Sequence, residues 1–247
     1  MGVGLRRLVI SLLVGVVVMP PLAGAAVQVT GTRFVYPAGE REIIVQLNNT
    51  GARPALVQAW LDSGDASMQP GSEQLPFVVL PPLMRVEAQK GQALRISKVG
   101  GGLPQDRESV FWLNVLDMPP KAEDVDGRNI VQLAFRTRLK LFYRPDGLPG
   151  TPGAAVEALA WVLAPHGRGY ALRVRNDSAY HVSFSRVALQ AAGKTYDSVD
   201  AGGMVAPHGV KDFPLKGLQG SVSAGEVEVR WVDDFGASRE RFYRLSF

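Results

Sequence analysis

The side chains able to do covalent or acid–base chemistry are few and poorly spaced for it. The chain has no cysteine, which excludes a disulfide framework, a thiolate metal site, an iron–sulfur cluster and a cysteine nucleophile. His166, His181 and His208 stand alone, without the His-x-His or His-Glu-x-x-His spacing that brings two imidazoles to one ion, so no metal site is expected. There is no Gly-x-Ser-x-Gly elbow, Walker loop or Gly-x-Gly-x-x-Gly fingerprint, and Gly100-Gly101-Gly102 reads as a hairpin between strands rather than a phosphate cradle. Nothing in the spacing of the carboxylates selects a catalytic pair. The residues argue against an enzyme, a cofactor and a small-molecule substrate.

The stretch that does carry a chemical pattern is 129–145. Val131, Leu133, Phe135, Thr137, Leu139 and Leu141 share one parity, and Gln132, Ala134, Arg136, Arg138 and Lys140 share the other. Strands usually run about five or six residues, so an alternation this long is unusual. A row of apolar knobs backed by the cations that keep an edge soluble is what a strand needs to add itself to another protein's sheet. A central strand of a sandwich would alternate in the same way with no such role, and the pattern alone leaves both open.

Elements of period 2 surround that stretch. Val45 and Leu47 alternate with Ile44 and Gln46, and Val227, Val229 and Trp231 alternate with Glu226, Glu228 and Arg230. Strands are expected at 27–36, 42–49, 55–61, 76–80, 93–99, 109–116 and 130–143, then at 156–163, 169–175, 180–190, 210–215, 225–232 and 239–247. Helical periodicity is nearly absent. The segment from Tyr143 to Gly153 holds three prolines and three glycines in eleven residues and cannot continue a sheet. The expected fold is therefore all-β, with two consecutive immunoglobulin-like sandwiches and a boundary in that segment. Trp60, Trp112, Trp161 and Trp231 lie in apolar strand patterns and are expected in the cores.

Residues 1–25 divide as a cleaved secretory signal: Arg6 and Arg7, an apolar run from Leu8 to Val18, and Ala23-Gly24-Ala25 before the expected cut. The apolar run is shorter than the roughly 20 residues that span a bilayer. Export from a Gram-negative cell would bring the chain to the periplasm or the cell surface. Arg6 and Arg7 supply two of the four net positive charges, and the remainder is too weak and scattered to suggest a nucleic-acid partner.

Three motifs resemble a known family. Thr32-Arg33-Phe34-Val35-Tyr36-Pro37, Gln105-Asp106-Arg107-Glu108-Ser109-Val110-Phe111-Trp112-Leu113-Asn114 and Lys140-Leu141-Phe142-Tyr143-Arg144-Pro145 occur in the order seen in the PapD-like periplasmic chaperones of chaperone–usher pilus assembly. The resemblance covers the whole mature chain. It implies a boomerang of two immunoglobulin-like domains, here 26–146 and 147–247, with a donor strand at 129–143. It implies pilus subunits and an outer-membrane usher as partners. Arg33 and Lys140 would hold a subunit's C-terminal carboxylate, and Val131, Leu133, Phe135 and Thr137 would line the donor strand. Glu108, Arg144 and Asp234 would form an interdomain charge network, and Pro81-Pro82 would lie near surfaces that meet the usher. The short segment Met118 to Arg128 resembles the branch that builds rod pili. The physics agrees: a subunit lacking its last strand exposes a groove and unpaired backbone, and each knob that fills the groove contributes roughly 1.5–3 kcal/mol if fully buried.

Two other classes share parts of this description. A tandem-sandwich extracellular binding or adhesion protein would have the signal and the fold but no need for Arg33 and Lys140. A sandwich-type hydrolase would need a convergent carboxylate pair and a groove of exposed aromatics.

Overall fold

The computed structural model describes residues 26–118 and 133–246. In chain order the first domain holds β1 (Val27–Val29), β2 (Arg33–Pro37), β3 (Glu42–Asn49), β4 (Ala55–Asp62), β5 (Phe77–Leu80), β6 (Leu83–Val86), β7 (Gly91–Lys98), β8 (Ser109–Met118) and β9 (Phe135–Arg144). They make two facing sheets, β1-β3-β7-β5 and β2-β9-β8-β4-β6. The second domain holds α1 (Pro152–Glu157), β10 (Ala160–His166), β11 (Gly169–Asn176), β12 (Val182–Ala191), β13 (Lys194–Asp197), β14 (Gly203–Val205), β15 (Gly209–Pro214), β16 (Ala224–Val232) and β17 (Ser238–Ser246). Its sheets are β10-β11-β15 and β13-β12-β16-β17, with β14 also paired to β12.

The period-2 pattern works as expected in the elements that make the cores. Val45 and Leu47 of β3, Leu94 and Ile96 of β7, and Leu113 of β8 are fully buried between the first pair of sheets. Tyr36, Phe77, Phe111 and Tyr143 join them as an aromatic cluster with ring centroids 5.1–6.2 Å apart. The Tyr36 hydroxyl donates to the Arg41 carbonyl at 2.8 Å and accepts from the Lys98 N–H at 3.1 Å, so its polar end is satisfied inside. Trp161, Phe184 and Phe213 form the equivalent cluster of the second core.

Four expectations are corrected. The single strand foreseen at 27–36 is two: β1 pairs β3 in one sheet and β2 pairs β9 in the other. Gly31, at φ +111, takes the bend that lets the chain change sheets. The strand foreseen at 156–163 begins only at Ala160, because Thr151 caps a short helix with its hydroxyl on the Ala154 N–H and Pro152 opens the first turn. Strands β6, β13 and β14, each of three or four residues, were too short to register as alternation. Trp161 is in the second core and the half-buried Trp231 packs against it, but Trp60, although buried, and the half-buried Trp112 lie outside the first core, beneath Arg136 and Arg138. Period 2 places Trp112 opposite in facing to the core residues Phe111 and Leu113.

The chain passes from β5 to β6, and so from one sheet to the other, through Pro81-Pro82. Leu80 and Leu83 on either side are about half exposed.

Candidate docking site

Strand β9 is paired unequally on its two sides. Antiparallel β8 covers it from Phe135 to Tyr143, whereas parallel β2 covers only Lys140 to Arg144. Among the described residues, Phe135–Leu139 therefore present a free sheet edge with unpaired backbone groups. One parity runs from solvent into the core along this strand: Leu133 is 52% exposed, Phe135, Thr137 and Leu139 are half-buried, and Leu141 and Tyr143 are buried. Val131 lies outside the described residues, as does the beginning of the foreseen strand at 129–132.

The other parity is not the loose solubilising row that the alternation suggested. Asp62, at the end of β4, has no exposed surface and accepts from Arg138 Nε and Nη2 at 3.1 and 2.5 Å. It also accepts from Asn114 Nδ2 at 2.7 Å and from the Gly64 N–H at 2.8 Å. Burial would raise its pKa, but these bonds win and hold it below the usual carboxylate range. Arg136 donates two bonds to Asn114 Oδ1, at 2.9 and 2.7 Å, and one to the Ala66 carbonyl at 2.7 Å. Beneath them Arg136 lies over the Trp60 ring at 4.8 Å, and Arg138 and Lys140 lie over Trp112 at 4.2 and 5.5 Å. The outer face of β9 is thus fastened across β8 to β4 while its edge stays free.

The free edge ends at two cations. Parallel register sets Arg33 beside Lys140, so residues more than a hundred positions apart meet on one face. Lys140 Nζ donates to Ser183 Oγ of the second domain at 3.0 Å. Arg33 Nη1 donates to the Val232 carbonyl at 2.8 Å, while its buried Nε has no hydrogen-bond partner. Burial first, then repulsion from Arg33 and Lys211, lowers the Lys140 pKa to about 8. Burial also lowers that of Arg33, against the pull of Asp234 and Asp233. Two partly desolvated cations side by side between the domains are complementary to a carboxylate.

Behind them the domains are joined by ion pairs. Arg144 Nε donates to Glu108 Oε1 at 2.7 Å, and its Nη1 and Nη2 donate to Asp234 at 2.8 and 3.0 Å. Burial alone would lower the Arg144 pKa, and the two carboxylates more than offset it. Glu108 is buried, and its Oε2 accepts from the His181 N–H at 2.8 Å and lies 3.3 Å from His181 Nδ1. Neighbouring Asp233 is used inside its own turn, accepting from Phe235 and Ala237 N–H groups, so Asp234 is the residue left to face Arg144.

Sequence reading missed four contributors. Asp62, His181 and Ser183 come from distant segments with no motif of their own, and Trp112, inside the second motif, reads as a core residue in the sequence. The one signal was an acidic residue closing the apolar run of β4, on the parity of Trp60 and not of the core.

Two immunoglobulin-like sandwiches that leave, among the described residues, one sheet edge unpaired beside a partly buried cation pair have the parts of a strand-donating chaperone. Residues 26–149 match the family model described as pili and flagellar-assembly chaperone, PapD N-terminal domain, and 154–243 match that of the pili assembly chaperone PapD, C-terminal domain. The probable fimbrial chaperone YadV of Escherichia coli (strain K12) is 43% identical over 224 residues, 90% of each chain. The crystal structure of the YadV chaperone matches 89% of this chain and 100% of its own with a TM-score of 0.77 at 40% identity. The Salmonella enterica SafB chaperone, solved in complex with the SafA pilin, gives a TM-score of 0.72 at 28% identity, covering 91% of this chain and 98% of that one. The chain belongs to the PapD family of pilus-assembly chaperones.

Proposed function

We propose that this protein, exported to the periplasm by cleavage of residues 1–25, captures pilus subunits by lending them the Phe135–Leu139 edge of β9 and hands them to an outer-membrane usher. The observation that carries this reading is the free edge ending at the Arg33–Lys140 pair. A subunit chain lying on Phe135–Leu139 takes the place β2 holds further along. If its C-terminal carboxylate rests on Arg33 and Lys140, it runs parallel to β9, as β2 does. The carboxylate then sets the register, because a slip of one residue would turn every knob away from its pocket. Val131, Leu133, Phe135 and Thr137 supply the apolar surface that the incomplete subunit lacks. SafB, with a pilin bound, is a relative in which a chaperone of this fold holds a subunit.

Glu108, Arg144 and Asp234 fix the angle between the domains, which keeps Ser183 and Val232 of the second domain beside the cation pair. The action is binding and release, without a catalytic step. Co-expression with an exported pilus subunit tests the reading: the wild-type chain should recover intact subunit from the periplasm, and Leu133→Arg should not. Equal recovery by both would overturn it.

A further inference from the structure

The turn joining β16 to β17 carries Phe235 at 93% exposure, more than any other large apolar side chain among the described residues. Its backbone is pinned. The Asp233 carboxylate accepts from the N–H groups of Phe235 at 3.0 Å and Ala237 at 2.9 Å, and Asp233 and Ala237 close the turn with a main-chain bond of 3.0 Å. The next residue, Asp234, is gripped by Arg144 of the other domain. A phenyl ring wholly in water is carried on a turn fixed by the two aspartates that precede it, and both acidic groups already have partners.

The turn also stands at a particular place. Gly236 lies so close to Thr32 that a Cβ there would collide with the Thr32 hydroxyl oxygen. Thr32 immediately precedes Arg33, the first residue of β2 paired to β9. The turn therefore flanks the point where β2 stops covering β9 and the free edge begins. A chain lying along Phe135–Leu139 and ending at Lys140 has its last residues beside it.

We propose that Phe235 is a second-domain contact for the captured subunit, packing on apolar side chains among the subunit's last residues. This rests on the capture reading above. A rigid aromatic offers large contact area at little cost in conformational entropy, which is how most anchor residues at interfaces act. In the uncomplexed protein the exposed ring has nothing to pack on, so its contribution is confined to the complex.

The test is competition between differently tagged chaperones for one pilus subunit refolded from denaturant, with melting temperature and sedimentation measured on each chaperone alone. Phe235→Ser should lose to wild type by about tenfold or more, Phe235→Leu should stay within about threefold, and neither should change the melting temperature. Lys140→Met serves as the control. If Phe235→Ser competes equally while Lys140→Met fails, the Phe235 proposal is overturned and the capture reading stands. If both compete equally, the capture reading falls and the proposal with it. If Phe235→Ser changes only the self-association of the uncomplexed chaperone, Phe235 meets a second copy of this chain and the proposal is overturned.

Discussion

Replacing Lys140 by methionine should stabilise the uncomplexed chaperone and cripple capture, two effects of opposite sign from one side chain. The folded protein holds the Lys140 pKa at about 8 against an ordinary 10.5, through burial and then the nearby charges of Arg33 and Lys211. At about 1.36 kcal/mol per pKa unit the full penalty of keeping this charge is roughly 3 kcal/mol. Water still reaches the partly buried side chain, so about 1–2 kcal/mol is the fair expectation. Methionine keeps the apolar stem and drops the charge, so the variant should melt higher by about 5 °C at neutral pH. The sign reverses nowhere but the size changes with pH. Below pH 8 both folded and unfolded states of the wild type carry the proton and the penalty is complete. Between about 8 and 10.5 the folded state loses it first, so wild-type stability rises with pH and the gap to the variant closes. Thermal melts of both proteins from pH 6 to pH 10.5 measure this. Capture should move the other way, because a carboxylate loses one charge-assisted bond of roughly 1.5–3 kcal/mol, or ten- to a hundredfold in affinity. A variant that melts lower at pH 7, or a gap that does not narrow with pH, would refute the placement of Lys140 as an uncompensated cation.

Four other outcomes are expected. Near pH 8, subunit binding should take up a proton at Lys140, seen by calorimetry as an enthalpy that depends on the buffer's ionisation heat. Arg144→Ala leaves the buried Glu108 without its cation, which should cost about 3–5 kcal/mol and broaden the interdomain distances seen by small-angle scattering. Asp62→Asn should speed amide exchange at Phe135–Leu139 more than at β3 or β7, because it unfastens Arg138 from the outer face. Leu133→Arg, at an exposed position, should leave the melting temperature within about 1 °C while subunits are lost to degradation.

Most of the strands were legible because cores demand a strict period, and β3 and β7 obey it. The split at Gly31 was not legible. Both halves of 27–36 have the composition of strands, and only the pairing partners, β3 and β9, reveal that the chain has changed sheets. The cleft cations came from motif resemblance, since no spacing links position 33 to position 140. Their meeting is a matter of parallel register. The fastening of β9 was misread as solubility for a physical reason: Arg136 and Arg138 look alike in sequence whether they face water or a buried carboxylate, and Asp62 lies over seventy residues away.

The central claim is that the free half of β9 becomes a paired strand in the complex. Hydrogen–deuterium exchange of the chaperone alone and bound to a pilus subunit tests it most directly. New protection should centre on Phe135–Leu139 and on the main chain around Arg33, with β3 and β7 unchanged. Protection confined to other surfaces, with Phe135–Leu139 exchanging as in the uncomplexed protein, would contradict it.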